Sequence, residues 1–200
     1  MSERPTVRLL DYGVGNIHSL TKALQRAGLD VELAPATDGA GEADGLVLPG
    51  VGAFGPAAQA LAPVRDEIRD AVADGLPLLG VCLGMQLFAE GSVEGEGRGL
   101  GLVDGKVGPL DADRLPHIGW NTIEHARDPV EALDDRHVYY VHSYALPDNP
   151  HTVAETTYGQ TFPAIVAFDN VIGAQFHPEK SSQAGRVVLD AYANLLEAYR

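Results

Sequence analysis

The stretch Leu78-Leu-Gly-Val-Cys-Leu-Gly-Met-Gln-Leu-Phe88 decides the fold. It opens with an apolar run, Leu78–Val81, that is typical of a buried strand, and a helix-like run follows Cys82. Gly80 and Gly84 stand on either side of the cysteine, where larger side chains would crowd a sharp turn. The stretch therefore predicts a nucleophile elbow, a strand-to-helix turn that projects one reactive side chain.

The first half of the chain alternates strand and helix patterns. Short apolar runs predict strands at Val7–Leu10, Val31–Ala34, Gly45–Pro49 and Leu78–Val81. Apolar residues at helical spacing predict two helices, one with Ile17, Leu20, Leu24 and Ala27 that ends at Gly28, and one with Leu61, Val64, Ile68 and Val72. This alternation is typical of a parallel sheet with helices on both faces.

The second half of the chain is richer in strands. Strand-like runs occupy Val138–Val141, Val153–Thr157, Ala164–Phe168 and Val171–Phe176, and a final helix carries Val188, Ala191, Tyr192, Leu195, Leu196 and Tyr199. We expect antiparallel hairpins at the sheet edge and a mobile loop at Gly91–Gly105, beside the active site. The predicted fold class is α/β, a flavodoxin-like three-layer fold with a mostly parallel central sheet and antiparallel edge strands. Residues 1–200 are predicted to form one domain.

The composition is that of a folded protein, and its charge narrows the choice of partners. The 200 residues include 28 acidic and 14 basic side chains, which gives a formal charge of −14. Phosphate backbones and anionic lipids repel such a protein, which argues against nucleic-acid and membrane partners. The basic residues are three lysines and 11 arginines, and an acidic, lysine-poor surface suits a high-salt cytoplasm. An ordinary acidic protein is the alternative.

Cysteine usage and the lengths of apolar runs bear on location and cofactors. Cys82 is the only cysteine, which excludes an internal disulfide and a cysteine-cluster metal site. No stretch approaches the roughly 20 apolar residues of a membrane span, and no apolar run of a signal peptide follows the first charged residues. We therefore expect a cytoplasmic protein with no metal and no cofactor.

Cys82 is the candidate nucleophile. At the start of a helix its thiol faces the positive end of the helix dipole, which favours the thiolate. The N–H of Leu83 would then point toward a developing oxyanion. The alternative is a buried cysteine that packs as a small hydrophobic residue.

His177 is the candidate base among seven histidines. The run Val171–Phe176 leads directly into His177-Pro-Glu179, and in extended backbone residues i and i+2 project to the same side. Glu179 can then orient the imidazole of His177, and a purely structural pair is the alternative. Zinc deaminases also use His-x-Glu, but they need a Cys-x-x-Cys partner that one cysteine cannot supply. With Cys82, the pattern predicts acyl transfer through a thioester.

Two motifs resemble those of the class I (triad) glutamine amidotransferases: Gly80-Val-Cys-Leu-Gly-Met-Gln86 and His177-Pro-Glu179. Five segments in chain order are similar to one family within that class, the glutaminase subunits of imidazole glycerol phosphate synthase. They are Asp11-Tyr-Gly-Val-Gly-Asn16, Leu48-Pro-Gly-Val-Gly-Ala-Phe54, Pro116-His-Ile-Gly-Trp-Asn121, Val141-His-Ser-Tyr144 and His177-Pro-Glu-Lys-Ser181. The resemblance covers nearly the whole chain and implies the fold of this class.

The resemblance also implies an activity and a partner. Glutamine is hydrolysed to glutamate and ammonia, and the ammonia passes to a separate (βα)8-barrel cyclase subunit in a heterodimer. That cyclase makes imidazole glycerol phosphate and an aminoimidazole carboxamide ribotide in histidine biosynthesis.

By position, the resemblance assigns roles to residues of this chain. The catalytic triad is Cys82, His177 and Glu179, and the oxyanion donors are Leu83 and Val51, the latter within Gly50-Val-Gly52. The implied substrate-binding residues are Gly50, Gly52, Gln86, Glu94, Ser143 and Tyr144, and the implied partner interface contains Asn16, Trp120, Tyr140 and Lys180. Glu94 suits the ammonium group of glutamine, and backbone amides around Ser143 suit its carboxylate. The alternatives are that Trp120 is a core residue and that Lys180 pairs with a nearby carboxylate.

Two other functions stay open at this point. One is another triad amidotransferase, such as the subunits that serve anthranilate or pyridoxal phosphate synthesis, against which the Pro-Gly-Val-Gly and Gly-Trp-Asn segments argue. The other is a non-enzymatic or stress-response protein on a flavodoxin-like fold with an elbow cysteine. That protein would have no need of the His-Pro-Glu pattern.

Overall fold

The computed structural model describes residues 4–13 and 17–199. Within these ranges the strands are β1 (Thr6–Asp11), β2 (Asp30–Pro35), β3 (Gly45–Leu48), β4 (Leu78–Val81), β5 (Ala89–Ser92), β6 (Val103–Pro109), β7 (His117–Thr122), β8 (His137–His142), β9 (Tyr144–Ala145), β10 (Thr152–Tyr158), β11 (Gln160–Phe168) and β12 (Val171–Ala174). The helices are α1 (Ile17–Arg26), α2 (Phe54–Leu61), α3 (Arg65–Ala73), α4 (Leu83–Gln86) and α5 (Ser182–Tyr199). Short 3₁₀ turns occupy Ala36–Asp38, Glu131–Leu133 and Pro178–Lys180.

A seven-stranded sheet forms the centre of the fold, with strand order β10-β11-β12-β4-β3-β1-β2. The neighbours from β12 to β2 pair in parallel. At the other edge β10, β11 and β12 form an antiparallel meander. The prediction of a mostly parallel sheet with antiparallel edge strands is therefore confirmed. β4, the strand that leads into Cys82, lies in the middle of this sheet.

Side-chain alternation along the strands divides the core into two layers. Val7 and Leu9 of β1 pack with the apolar faces of α1 and α5 on one side of the sheet. Leu10 of the same strand packs on the other side, with α2 and α3. Strands covered on both faces have to be apolar throughout, which explains the buried runs Gly45–Leu48 and Leu78–Val81. Helix, sheet and helix form the three layers that the sequence predicted.

The helix predicted through Leu61 and Val72 is in fact two helices. α2 ends at Leu61 and α3 begins at Arg65, with Pro63 between them. Proline lacks the backbone N–H that would continue the helical hydrogen bonds, and Val64 leaves helical geometry (φ −116°, ψ 3°), so the helix is interrupted here. Val64 is nevertheless buried just before α3, which is why the apolar spacing continues across the break.

The region after Cys82 also differs from the prediction. The helix there is the single turn α4, and β5 begins only a few residues later. The segment Gly91–Gly105 is not one loop, because it contains the end of β5 and the start of β6, which pair in parallel. Its middle is tied to β5 by a hydrogen bond from the N–H of Gly99 to the carbonyl of Glu90 (3.1 Å).

Outside the main sheet, β7 and β8 form an antiparallel ribbon, and β6 pairs with β5 and β9. β8 runs directly into Ser143 and Tyr144, and Tyr144 pairs with Pro109 of β6. This arrangement holds one wall of the site described below. In the described ranges, no helix is both long enough and apolar enough to span a bilayer.

Candidate active site

Cys82 lies at a sharp turn between β4 and α4. Its backbone adopts φ 49° and ψ −102°, in a region that residues with a side chain rarely occupy. Its N–H donates to the carbonyl of Ala174 (2.7 Å), and its own carbonyl accepts from the N–H of Gln86 (3.0 Å). The residue is 5% exposed. The turn has the form expected from the sequence, although the dipole behind the thiol is that of a single helical turn.

The glycines around Cys82 are required by close backbone contacts. A Cβ on Gly84 would lie 2.0 Å from the carbonyl oxygen of Leu48, and one on Gly80 would lie 2.7 Å from the backbone nitrogen of Met85. Both distances are far below van der Waals contact, so side chains at these positions would displace the turn.

His177 and Glu179 form a buried pair. Nδ1 of His177 lies 2.9 Å from Oε1 of Glu179, and the side chains are 1% and 4% exposed. Extended backbone is not what brings them together, contrary to the sequence argument. Pro178–Lys180 form a 3₁₀ turn, and this turn places Glu179 beside the ring. Ser181 holds the turn, because its Oγ donates to the carbonyl of His177 (2.7 Å) and accepts from the N–H of Tyr139 (2.9 Å).

The pairing of β4 with β12 brings His177 towards the thiol of Cys82. Val81 and Ala174 are register partners in this parallel pair, so the two strands end side by side. Cys82 follows one strand directly, and His177 follows shortly after the other. Nε2 of His177 is buried and has no hydrogen-bond partner in the described part of the chain. This nitrogen is therefore available for proton exchange with the thiol.

The surroundings of His177 favour its charged form. Burial alone would lower the pKa of the imidazole, but Cys82 and Glu179 outweigh burial and raise that pKa to about 9. An imidazolium between a thiolate and a carboxylate stabilises both anions. The site can therefore hold a thiolate next to a proton donor.

A cleft of about 240 Å³ opens at Cys82. It is smaller than the roughly 300–1,000 Å³ typical of drug-sized ligands, so it suits a small metabolite. Besides Cys82, its walls contain seven of the predicted residues: Val51, Gly52, Leu83, Gln86, Glu94, Ser143 and Tyr144. Gly50 is absent from these walls and packs beneath the turn, where a Cβ would lie 1.7 Å from the carbonyl oxygen of Val81.

Glu94 brings a carboxylate to this cleft from the segment after β5. Its Oε2 accepts a hydrogen bond from the N–H of Phe54 (2.9 Å), the first residue of α2. This hydrogen bond anchors the side chain of Glu94 at the cleft wall.

The predicted partner residues are only partly exposed. Trp120 on β7 is 54% exposed, so it is not a core residue. Its ring meets that of Tyr139 edge-on with centroids 6.0 Å apart, and Nζ of Lys180 lies 5.8 Å from the centroid of Tyr139. Tyr140 is completely buried and bonded to Thr156, so its assignment to the interface is wrong. Asn16 lies outside the described residues.

Gln175 and His142 are buried polar residues beside Cys82 that the sequence analysis missed. Nε2 of Gln175 lies 3.5 Å from the sulfur of Cys82, and His142 lines the cleft. Gln175 stands two positions before His177, and this alternation was the available signal. In residues 4–13 and 17–199, no group of three or more His, Cys, Asp or Glu side chains is placed to hold a metal ion.

Comparison with known proteins places this chain in a family. Residues 8–191 match the family described as glutamine amidotransferase class-I. The imidazole glycerol phosphate synthase subunit HisH of Halobacterium salinarum is 46% identical over 197 residues, which span 92% of this chain and 90% of that protein. The protein of the same name from Natronomonas pharaonis is 46% identical over 201 residues, or 94% of each chain. A crystal structure of glutamine amidotransferase shares the fold, with a TM-score of 0.76 at 21% identity over 96% of this chain and 98% of that one. The chain therefore belongs to the class I glutamine amidotransferases, in the family of the imidazole glycerol phosphate synthase subunits HisH.

Proposed function

We propose that this protein is the glutaminase subunit of an imidazole glycerol phosphate synthase. The observation that carries the proposal is the buried Cys82 in the wall of a small cleft, together with the buried pair of His177 and Glu179 after the neighbouring strand, in a chain of this family. The reaction is the hydrolysis of glutamine to glutamate and ammonia. Subunits of other synthases and a non-enzymatic elbow-cysteine protein are not favoured, because the similar relatives carry the synthase subunit name.

The first half of the reaction forms a thioester. The Cys82 thiolate attacks the carboxamide carbon of glutamine, and the carbonyl oxygen becomes an oxyanion. The N–H groups of Leu83 and Val51 are the proposed donors to this oxyanion. Leu83 is the first residue of α4, and the first N–H groups of a helix have no intrahelical acceptor. His177 then gives its Nε2 proton to the leaving nitrogen, and ammonia departs.

The second half restores the enzyme. Water attacks the thioester while His177, now neutral, takes a proton from it, and the sulfur leaves as the thiolate. Glu179 keeps Nδ1 protonated through both halves, so that Nε2 is the nitrogen that exchanges the proton.

The cleft walls hold the substrate in this proposal. The carboxylate of Glu94 receives the α-ammonium group of glutamine, and the segment Ser143–Tyr144 receives its α-carboxylate. Gln86 and Gly52 contact the substrate directly, while Gly50 acts by allowing the close packing beneath Cys82.

The partner is a cyclase subunit that receives the ammonia, and we propose a (βα)8 barrel and a heterodimer. The exposed Trp120 and the pair of Lys180 with Tyr139 supply the docking face in this proposal. The Val51 peptide turns its N–H toward the oxyanion only when partner and ligand are bound, so the isolated subunit has low turnover. We further propose that residues 1–200 form one amidotransferase domain that works in the cytoplasm.

The test measures synthesis by the complex with either nitrogen source. Cys82→Ala is expected to abolish the glutamine-dependent reaction and to leave the ammonia-dependent reaction intact. A glutamine-analogue alkylating agent is expected to label wild type at Cys82 alone. His125→Gln is the control substitution outside the site. His125 resembles His177 in pairing with a glutamate (Glu155, 3.0 Å), but its side chain is 78% exposed. Loss of the ammonia-dependent reaction in Cys82→Ala, or no labelling of wild type, would refute the proposal.

A further inference from the structure

We infer that Gln175 is a further catalytic residue, whose side-chain amide donates a hydrogen bond to the sulfur of Cys82 and stabilises the thiolate. The inference rests on the proposed function, which makes this sulfur the nucleophile.

Gln175 is fully buried directly after β12. Its backbone N–H donates to the carbonyl of Ala164 on β11 (2.9 Å), which anchors the residue from the neighbouring strand. Its Nε2 lies 3.5 Å from the sulfur of Cys82. The side chain therefore reaches the sulfur from the segment that follows β12 and also contains His177.

The hydrogen bonds around Gln175 decide which end of its amide faces the sulfur. The carbonyl oxygen of Tyr144 can only accept, and Nε2 of Gln86 lies 2.7 Å from it. The same Nε2 lies 3.2 Å from Oε1 of Gln175, so the second hydrogen of Gln86 points at this oxygen. With its oxygen occupied in this way, Gln175 presents its NH₂ group to Cys82.

His142 donates to the same carbonyl, and a second buried histidine, His117, contacts His142. Nδ1 of His142 lies 2.9 Å from the carbonyl oxygen of Tyr144, so this nitrogen carries the hydrogen. Nε2 of neutral His142 then accepts from Nδ1 of His117 (3.1 Å), and Nε2 of His117 accepts from the amide of Asn121 (3.3 Å).

Asn121 confirms the direction of this chain of hydrogen bonds from its far end. Its Nδ2 also donates to the carbonyl of Thr157 (3.1 Å), and its Oδ1 accepts from the N–H of Thr122 (2.8 Å). Backbone groups at both ends therefore require one consistent set of tautomers and amide orientations. Gln175 is held with its donor aimed at the sulfur before any substrate arrives.

The other neighbour of the sulfur makes this donor important. The carbonyl of Val141 lies 3.8 Å from the sulfur, where it can accept from a thiol but repels a thiolate. The N–H of Gln175 acts in the opposite sense, because a donor favours the anion. The thiolate is formed before attack and again when the thioester is hydrolysed, so one donor serves both halves of the reaction.

The test follows the rate of Cys82 alkylation by iodoacetamide against pH. Gln175→Met removes the donor and keeps an unbranched chain of similar length. We expect the pH midpoint to rise by roughly one unit and kcat with glutamine to fall roughly tenfold, as for the loss of one hydrogen bond to a charged group. KM and ammonia-dependent synthesis with the cyclase are expected to stay within about twofold of wild type, which a merely structural role would not predict.

Gln175→Asn is the second variant, in case the first does not fold. Its amide is one methylene shorter and cannot reach both Gln86 and the sulfur, so its midpoint is also expected to rise. A midpoint equal to that of wild type in either folded variant overturns the inference. The pH midpoint of alkylation can be measured without glutamine turnover. A wild type that does not hydrolyse glutamine would refute the proposed function, and the alkylation midpoints would still test whether Gln175 stabilises the thiolate.

Discussion

Replacing Glu179 by glutamine removes one buried negative charge from the partner of the proposed base. Oε1 of Glu179 lies 2.9 Å from Nδ1 of His177, and the pKa of His177 is raised to about 9 although burial alone would lower it. A hydrogen bond to a charged group is worth about 1.5–3 kcal/mol, and one pKa unit corresponds to about 1.4 kcal/mol. Glu179→Gln is therefore expected to lower the pKa of His177 by one to two units.

The sign of the effect on activity follows from the proposed role of His177 as proton donor. The imidazolium is present only below its pKa, so the alkaline limb of the pH profile of kcat/KM should move from about 9 towards neutrality. The assay is glutamine-dependent synthesis by the complex between pH 6 and 10. Glu155→Gln is the control, because Glu155 pairs with the exposed His125 at 3.0 Å. An alkaline limb that stays in place in Glu179→Gln would refute the reasoning.

The same substitution should change how stability depends on pH. A histidine whose pKa is raised from 6.5 to about 9 by folding stabilises the folded state fully below pH 6.5. This stabilisation, on the order of 3 kcal/mol, is lost as the pH rises to about 9. Chemical unfolding of wild type should show the loss between pH 6.5 and 9, and Glu179→Gln should show a smaller one. Equal losses in the two proteins would contradict the assignment of the pair.

Other parts of the structure give three further predictions. Gly84→Ala places a Cβ 2.0 Å from the carbonyl oxygen of Leu48 and should lower the melting temperature by roughly 5 °C or more. Gly108→Ala, where a Cβ has no atom within 4 Å, should leave the melting temperature unchanged, and equal melting temperatures for the two variants would contradict the packing argument. Burial lowers the pKa of His117 and of His142 to about 4, so both rings should titrate near pH 4 when followed by NMR. The free energy of unfolding should fall as the pH drops from 6.5 to 4, and titration of the rings near pH 6.5 would contradict their burial. If the charge of −14 is an adaptation to salt, the unfolding midpoint should rise between low salt and molar KCl, and a constant midpoint would count against it.

Apolar periodicity was sufficient to predict the strands of the main sheet but not the residues at which the helices end. Runs such as Leu78–Val81 are buried on both faces, and the local pattern alone identifies them as strands. The end of α2 depends on Pro63, whose effect was hidden because Leu61 and Val64 keep helical spacing across the break. The end of α4 depends on tertiary contacts. The apolar residues after Cys82 are buried in a turn and a strand, and a longer helix would bury them equally, so their pattern does not show where the helix ends.

At the site, residues within short motifs were predictable from the sequence. Residues whose burial or contacts depend on strand register were not. Tyr139 and Tyr140 are chemically identical neighbours on β8, and only the pairing of that strand decides that the second is buried. The partners of Gln175 are Cys82 and Gln86, and His142 contacts His117 on β7. All three partners are distant in sequence from the residue that they contact. A local pattern contains no information about such contacts, so the hydrogen-bond chain that aims Gln175 could be found only in the folded structure.

The register of β4 against β12 also dictates when in the life of the polypeptide its thiol becomes reactive. The two strands are widely separated in sequence, and such non-local parallel pairing is slow because a long loop has to close first. During synthesis Cys82 leaves the ribosome well before His177 and Gln175 exist, so an incomplete chain contains only an ordinary cysteine. The proposed nucleophile, base and donor can therefore come together only after β12 has been synthesised and has paired with β4.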